Sequence, residues 1–388
     1  MKNIGILLSS PKEVGGIYQY SLSMISALSY FEIKKKFRIT YFYTDKIWEK
    51  EIPNKSKKYY IKKNFYKKIV NKIFSFILPR SQRFLLFNNF LYDEVKFINK
   101  SECDLVIFPS QNITSYQINK KSLSTIHDLM HRYETQFEEY SSKIIIDRDF
   151  HYKFICKHCN GILVDSQLGK KHVIESYNVN KKKLHILPFV TPKYLVNKRK
   201  INISQRFKLP KKYIFYPAQF WEHKNHINLL KALKLILPIY KDLKILFCGS
   251  KKNYYSRVYE FVINNKLEKN VIFLGRVEDK IMSSLYKNAL ATVYPSFCGP
   301  TNIPPLEALM MKSPLICSNV YSMKKQLKNA AIYINPKNVL DIKKKIILVL
   351  SNKRLRNKLK INGKKIIIKY NQIHFNKKLE NSIKKSLT

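Results

Sequence analysis

The chain has 388 residues, 45% of them hydrophobic and 13% aromatic, so it can bury a large core and is longer than one ordinary domain. Lys and Arg total 73 against 26 Asp and Glu, and the formal net charge of +47 favours an anionic partner such as nucleic acid, a membrane surface or a phosphorylated ligand. No apolar run reaches the roughly 18 residues that span a bilayer, and the six dispersed cysteines make no disulfide framework. The first ten residues have the pattern of a β-strand rather than of a signal peptide, so we expect a cytoplasmic protein.

Short apolar runs rich in β-branched residues alternate with segments of helical spacing along the first half. Between the first two runs, apolar residues repeat every three or four positions from Ile17 to Phe31, which predicts a helix packed on a sheet. The alternation predicts a parallel sheet with helices on both faces. The predicted strands of this half are 4–8, 38–43, 104–109, 123–127 and 161–164, and a further apolar run at 184–187 precedes the expected linker.

The same alternation restarts after residues 191–212, a stretch rich in Lys, Asn and Pro where apolar periodicity lapses and a linker is expected. We therefore predict two doubly wound domains, 1–190 and 191–370, with a helix at 371–388 that returns to the first. The predicted strands of the second half are 213–216, 243–248, 271–274, 290–294, 314–317 and 331–334.

Glycine is scarce, with nine residues in all, and five of these follow predicted strands. In open α/β sheets ligands bind beyond the carboxyl ends of the strands, where loops turn tightly and the backbone approaches the ligand. These glycines therefore mark candidate binding loops. They are Gly15 and Gly16 in the first half and Gly249, Gly275 and Gly299 in the second.

The segment 294–309 predicts a phosphate and ribose site. A strand ends at Tyr294, and two consecutive prolines mark the first turn of a helix, where a missing N–H costs nothing. The backbone amides of Thr301, Asn302 and Ile303 would then face an anion, and Glu307, one turn further, can accept hydrogen bonds from ribose hydroxyls. The alternative is a plain strand, loop and helix with a surface glutamate.

A second segment, 215–226, predicts a strand followed by a polar, aromatic loop and a helix. Lys224 in this loop can meet a diphosphate as a point charge. In a chain so rich in lysine, the alternative is an ordinary solvated side chain.

Together, these segments resemble the retaining glycosyltransferases of family 4, which have the GT-B fold: two Rossmann-like α/β domains, each a doubly wound sheet, that face each other across a cleft. The resemblance follows most of the chain, and its motifs occur in the family's order. They are GGIY at 15–18, TIHDL at 125–129, VDS at 164–166, WEHKN at 221–225, FLG at 273–275, the loop 295–307 and SN at 318–319.

The resemblance implies that Lys224 binds the donor diphosphate and that Glu307 is the second glutamate of the family's E-x7-E motif, which holds the donor ribose. The chain departs from the family twice, because Gly299 stands where the first glutamate is expected and Gln219 where a basic residue is expected. A covalent nucleophile at that first position is therefore excluded. The predicted donor-binding set is Gly16, Gln219, Lys224, Gly299, Thr301, Asn302, Ile303 and Glu307.

In the first half, the resemblance implies that His127 contacts the donor sugar or its phosphate after the two domains close. The alternative is a half-buried histidine that, with Asp128, caps the next turn. The catalytic prediction comprises His127, Lys224 and Glu307, and the acceptor-binding prediction comprises Gly15, Gly16, Tyr18 and Asp128.

No cofactor and no metal are predicted. The D-x-D pattern at 147–149 lies in a helical stretch away from any strand end, and the Cys156 and Cys159 pair has no second pair of matching spacing. The stretch 55–87 carries ten basic residues interleaved with aromatics and no acid, which suits an anionic membrane surface or, alternatively, an ordinary solvated helix pair.

The sequence thus predicts a metal-independent retaining glycosyltransferase that moves a sugar from a GDP- or UDP-linked donor to a glycan or lipid-linked acceptor in cell-surface polysaccharide synthesis. We expect it in the cytoplasm or on the inner face of the cytoplasmic membrane. The alternatives are a basic nucleic-acid-binding protein, which lacks support because no known nucleic-acid module appears, and an inactive homologue that binds nucleotide sugars.

Overall fold

The computed structural model describes residues 1–12, 15–62, 64–78, 92–196 and 209–388. The chain forms two compact units. The first comprises Met1–Thr135, Tyr140–Phe189 and Gln372–Thr388, and the second comprises Gln136–Glu139 and Val190–Asn371. Residues 197–208 of the predicted linker and residues 63 and 79–87 of the predicted basic stretch lie outside the described residues.

The first unit is built on a seven-stranded parallel sheet with the order β3-β2-β1-β4-β5-β6-β7. All five predicted runs form strands, although β5 ends two residues before His127, and the apolar run before the linker forms β7. The strands are β1 Asn3–Leu8, β2 Arg38–Tyr43, β3 Lys57–Tyr60, β4 Leu105–Phe108, β5 Lys121–Thr125, β6 Gly161–Val164 and β7 Leu184–Ile186.

The apolar pattern did not predict strand β3. Its sequence is Lys-Lys-Tyr-Tyr, and it pairs along one side with β2 at the edge of the sheet. An edge strand with little burial needs no apolar run, so nothing in its own pattern marks it.

Several helices of the first unit pack against its parallel sheet. The predicted apolar stripe of α1 is buried at Tyr20, Met24, Leu28 and Phe31. These helices are α1 Gly16–Ile33, α2 Phe65–Ile77, α3 Asp93–Asn99, α4 Met130–Tyr133, α5 Ser142–His158, α6 Gln167–Tyr177 and the C-terminal helix, named α14 below, Gln372–Leu387.

The C-terminal helix α14 packs against α1, β5 and β6 within the first unit. The Gln372 side chain donates to the carbonyl of Ser23 (2.9 Å), and Lys36 forms an ion pair with Glu380 (2.5 Å). Phe375 is 2% exposed and lies edge-on to Tyr20. The last helix is therefore part of the core of the unit that begins the chain.

The second unit contains a six-stranded parallel sheet with the order β10-β9-β8-β11-β12-β13. Its strands are β8 Tyr213–Pro217, β9 Lys244–Cys248, β10 Val271–Phe273, β11 Ala291–Tyr294, β12 Leu315–Ser318 and β13 Ala331–Ile334. Its helices are α7 His226–Ile236, α8 Tyr255–Asn264, α9 Asp279–Asn288, α10 Ile303–Met310, α11 Met323–Leu327, α12 Val339–Ser351 and α13 Lys353–Ile367. Among the described residues, no helix has the length and apolar character that crossing a bilayer would require.

Candidate active site

The two predicted donor loops lie side by side in the second unit. Strands β8 and β11 are neighbours and run parallel, so the loop after β8, which carries Lys224, and the loop after β11, which carries Gly299, start at the same edge of the sheet. These loops come together because β8 and β11 are neighbours in the sheet, although they are not consecutive in the sequence.

The backbone at Lys224 is fixed by the next residue, Asn225. Asn225 has a left-handed conformation (φ 62°), and its side-chain amide donates to the carbonyls of Pro295 (3.0 Å) and Pro336 (2.8 Å). Asn225 is 3% exposed, so these bonds form in a buried setting. The residue thus ties the β8 loop to the loops that follow β11 and β13.

The Lys224 ammonium is joined to the start of α10 through a single phenol. Lys224 Nζ donates to the hydroxyl of Tyr294 (3.1 Å), and that hydroxyl donates to Asn302 Oδ1 (2.9 Å). Tyr294 is 2% exposed, and burial raises the pKa of its hydroxyl, which stays a donor. Asn302 is the N-cap residue of α10, the helix that carries Glu307.

Gly299 has a backbone that other residues rarely adopt. Its φ is +119°, and a Cβ built there would lie 2.7 Å from Nδ2 and 3.0 Å from Oδ1 of Asn302. The Asn302 carboxamide therefore occupies the space that a side chain at position 299 would need. The glycine at this point is a geometric requirement of the loop, since both backbone and neighbour oppose a larger residue.

Three backbone amides, those of Thr301, Asn302 and Ile303, were predicted to face an anion, and the prediction is wrong for Asn302. Its N–H donates to Gln326 Oε1 (3.3 Å), while Gln326 Nε2 donates back to the Asn302 carbonyl (3.2 Å). The two prolines that follow Ile303 have no N–H. The Asn302 amide is therefore taken by Gln326, and Ile303 supplies the amide of the first helical position.

Glu307 is not the surface residue of the alternative interpretation. It is 6% exposed, and two phenols donate to its carboxylate, Tyr194 to Oε1 (2.8 Å) and Tyr286 to Oε2 (2.6 Å). Burial raises the pKa of Glu307, and the hydrogen bonds from the two tyrosines act in the opposite direction. The sequence pattern indicates neither tyrosine as a site residue, because Tyr194 lies in the expected linker and Tyr286 has the spacing of an ordinary amphipathic helix.

Gln219 is turned toward its own loop. Its Oε1 accepts a hydrogen bond from Trp221 Nε1 (2.9 Å). Nearby, a Cβ on Gly249 would lie 2.1 Å from the carbonyl oxygen of Ala218, so the loop after β8 passes directly over the end of β9. Only glycine permits this approach.

A short segment from the first half of the sequence belongs to the second unit and contacts the Lys224 loop. The Glu139 carboxylate pairs with His223 Nδ1 and also accepts from the His223 backbone N–H (3.2 Å). Burial raises the pKa of Glu139, but the hydrogen bond and charge of His223 outweigh it and hold that pKa below its usual range. The His223 carbonyl accepts from the amide of Phe297, so this pair also positions the β11 loop.

In the first unit, His127 follows β5 and has a defined tautomer. Its Nε2 lies 2.9 Å from the carbonyl oxygen of Pro109, so Nε2 carries the proton and donates. Burial lowers the pKa of His127 to about 4, and the ring is neutral near pH 7. Nδ1 is therefore an acceptor. Asp128 Oδ1 accepts from the N–H of Met130 (3.0 Å), which matches the capping role of the alternative interpretation.

The predicted role of Tyr18 needs correction. Tyr18 is 2% exposed, its ring packs on Trp48 (4.7 Å between centroids), and its hydroxyl donates to Glu51 (3.0 Å). Tyr18 lies on the buried face of α1, so its side chain cannot contact an acceptor. Gly15 and Gly16 instead lie exposed at the start of α1, where Gly15 has a φ of 60°.

The described residues contain no group of three or more His, Cys, Asp or Glu side chains that could hold a metal ion. In the D-x-D pattern, Asp149 Oδ1 accepts from Tyr177 (2.8 Å) and lies 3.1 Å from His131 Nε2. Cys159 is buried against the carbonyl of Ser115.

Sequence comparison finds known proteins that are similar to parts of this chain. Residues 197–366 match the family model described as glycosyl transferases group 1. The matched segment is less than half of the chain. The O-antigen chain mannosyltransferase RfbU of Salmonella typhimurium is 28% identical over 214 residues, which are 55% of this chain and 56% of the relative. The O-antigen chain mannosyltransferase B of Escherichia coli is 30% identical over 129 residues, 33% of this chain and 34% of the relative. The chain thus matches about half or less of the length of these curated relatives.

Two solved structures show the fold of the whole chain. Sucrose-phosphate synthase from Thermosynechococcus elongatus has a TM-score of 0.76 at 16% identity and covers 99% of this chain and 98% of its own. Anabaena HepE in complex with UDP-glucose has a TM-score of 0.73 at 12% identity and covers 99% and 100%. At such identities the likeness concerns the fold alone, and the predicted GT-B fold is confirmed.

Proposed function

We propose that this protein is a metal-independent retaining glycosyltransferase that transfers a sugar from a nucleoside diphosphate donor to a glycan or lipid-linked acceptor in surface polysaccharide synthesis. The observation that carries the proposal is the hydrogen-bonded path from Lys224 through Tyr294 to Asn302, at the start of the helix that holds Glu307. The group 1 glycosyltransferase match and the names of the O-antigen mannosyltransferases support it and favour a mannosyl group.

The main chemical demand of the reaction is to stabilise negative charge on the departing diphosphate. Lys224 would supply a positive charge to these oxygens, and the amide of Ile303 with the N-terminal dipole of α10 would supply a second. No carboxylate stands at position 299, so no side chain at that position offsets the charge of Lys224.

Glu307 would bind the donor ribose. Each oxygen of an ionised carboxylate has two acceptor positions, and Tyr194 and Tyr286 use one on each oxygen. The second position on each oxygen remains for a ribose hydroxyl. The two tyrosines fix the carboxylate plane, which lowers the entropy lost when the ribose binds.

His127 would act on a sugar hydroxyl rather than on a phosphate. With Nε2 donating to Pro109 and the ring neutral, Nδ1 can only accept a hydrogen bond, and an ionised phosphate oxygen offers no proton. We therefore narrow the prediction for this residue to a hydroxyl of a bound sugar. Gly15 and Gly16 remain proposed backbone contacts of the acceptor or donor.

Retention of configuration would follow from attack on the same face as departure, with the leaving phosphate as the base. Gly299 provides no nucleophile, so no glycosyl-enzyme intermediate forms there. NMR of the product, which distinguishes the two anomers, tests this part of the proposal.

The donor site is tested by binding. We expect one member of a panel of UDP, GDP, ADP and dTDP sugars to raise the melting temperature of the parent, and the chelator EDTA to leave that rise unchanged. Lys224→Ala and Glu307→Gln should lose most of the rise. Lys231→Ala and Glu260→Gln, exposed residues of α7 and α8 in the same unit, serve as matched controls and should respond like the parent.

The rivals predict different outcomes. A nucleic-acid-binding protein would bind RNA or DNA with a steep salt dependence and would not respond to any nucleotide sugar. An inactive homologue would show the thermal rise without transfer. If both site variants responded like the parent, the proposed donor site would be wrong.

A further inference from the structure

Helix α2 presents an exposed apolar stripe. Phe65, Ile69, Ile73 and Ile77 are spaced by four residues and are 69%, 42%, 55% and 71% exposed, and Tyr66 beside them is 75% exposed. Residues spaced by four lie on one face of a helix. A row of five large apolar side chains facing solvent is unusual for a soluble surface and indicates an interaction site.

The opposite side of α2 faces the first unit. Lys67 on that side is half-buried and forms an ion pair with Asp93 of α3, and Val70 and Phe74 are half-buried. The helix is capped by Asn64, whose side chain accepts from the N–H of Tyr66 (2.9 Å). The helix is therefore docked through one face while its apolar stripe is turned outward.

The charge around the stripe identifies the kind of partner. Across the described residues 52–62 and 64–78, the sequence contains seven basic residues and no acidic one. Lys72 lies exposed beside the stripe, and Lys62 is exposed just before the helix. Apolar side chains flanked by lysines match an anionic bilayer, in which the apolar groups enter the acyl boundary and the ammonium groups reach the headgroups.

A second copy of the chain fits the same surface poorly. The net charge is +47, and a symmetric contact would bring two basic surfaces together. We propose that the outward face of α2 binds peripherally to an anionic lipid surface, with the apolar stripe inserted and the neighbouring lysines at the headgroups. This proposal does not depend on the donor site of the second unit.

Vesicle flotation of the full-length protein tests the proposal. The probes are vesicles of phosphatidylcholine alone and of phosphatidylcholine with phosphatidylglycerol. We expect the parent to float with the anionic vesicles only, and added salt to weaken binding because it screens the lysines. The apolar variant combines Ile69→Ser, Ile73→Ser and Ile77→Ser, and its partitioning should fall by at least about a hundredfold, since each isoleucine loses the free energy of leaving water.

The control variant removes equally exposed apolar residues from other helices. Leu340, Ile361 and Ile373 are 65%, 60% and 77% exposed on α12, α13 and α14, and their replacement with serine should leave flotation unchanged. A third variant, Lys62→Glu with Lys72→Glu, should weaken anionic binding by at least about tenfold while it keeps the apolar stripe. Circular dichroism and melting temperature check that each variant is folded.

The proposal is overturned if the parent fails to float, if the apolar variant floats like the parent, or if the control variant loses binding equally. It is also overturned if light scattering finds a dimer that the apolar variant abolishes, because the stripe would then belong to a second copy. A variant that loses flotation but keeps the thermal response to nucleotide sugars supports the membrane role independently of the donor site.

Discussion

Replacing Gly299 with glutamate would restore the carboxylate that the resembling family carries at this position, yet we expect it to destabilise the second unit and to add no activity. The reason lies in two features of the loop. The φ of +119° opposes any side chain, and a Cβ would lie 2.7 Å from the Asn302 carboxamide, which is held by Tyr294.

The magnitude follows from these two contacts. A residue other than glycine in so sparsely populated a backbone region costs about 1–3 kcal/mol. Displacing Asn302 breaks the hydrogen bond from Tyr294, which contributes about 1 kcal/mol more. The sum is about 2–4 kcal/mol, and for a unit of this size the melting temperature should fall by about 5–15 °C.

Thermal unfolding of a small set of variants measures this. Gly299→Ala has the backbone strain and the Cβ contact without the charge. Gly275→Ala is the matched control, because Gly275 has a φ of +63° and nothing within 4 Å of its Cβ position. It should cost only the strain of a left-handed residue, about 1–2 kcal/mol. In an Asn302→Ala background, the Gly299 substitution should cost less than in the parent.

Two results would refute this reasoning. The first is a Gly299→Glu protein that melts at the temperature of the parent, since neither strain nor contact would then exist. The second is an equal cost of Gly299→Ala with and without Asn302, since the contact between the two residues would then contribute nothing. An increase of transfer activity in Gly299→Glu would contradict the role assigned to the glycine.

Three further predictions concern buried polar groups. Tyr286→Phe should lower the free energy of unfolding in urea by about 1–3 kcal/mol, because one oxygen of Glu307 loses its hydrogen-bond donor. A chemical shift titration should show a further rise in the pKa of Glu307. An unchanged pKa would refute the hydrogen bond between Tyr286 and Glu307. The pKa of His127 is near 6.5 in the unfolded chain and about 4 in the folded protein, so the free energy of unfolding should decline as pH falls from about 6.5 to 4. His127→Gln should remove that part of the decline. Parallel pH profiles of the parent and the variant would contradict this prediction. Asn225→Gly keeps the left-handed backbone but loses two buried hydrogen bonds, so we expect weaker donor binding and a melting temperature lower by several degrees. Asn225→Asp cannot donate to the two carbonyls and should be no more stable than Asn225→Gly. An Asn225→Gly protein that behaves like the parent would show that the two hydrogen bonds do not hold the loop.

The apolar pattern of the sequence determined the two parallel sheets. Each buried strand, such as β1 or β11, is a short apolar run, because a strand covered by helices on both faces must be apolar on both. Strand β3 was missed for the same physical reason, since an exposed edge strand needs no such run. The sequence also predicted the helix start at Ile303, because proline is tolerated in the first turn of a helix but not in its interior.

Tertiary structure alone decided what surrounds each candidate side chain. Glu307 meets Tyr194 and Tyr286, and Lys224 meets Tyr294, across separations in sequence that no local pattern encodes. The order of the strands in the sheet places the loops after β8 and β11 side by side. Burial then determines which groups are charged and which hydrogen bonds must form. Sequence specified the elements through local periodicity, whereas partners, tautomers and available amides depend on packing between elements distant in the chain.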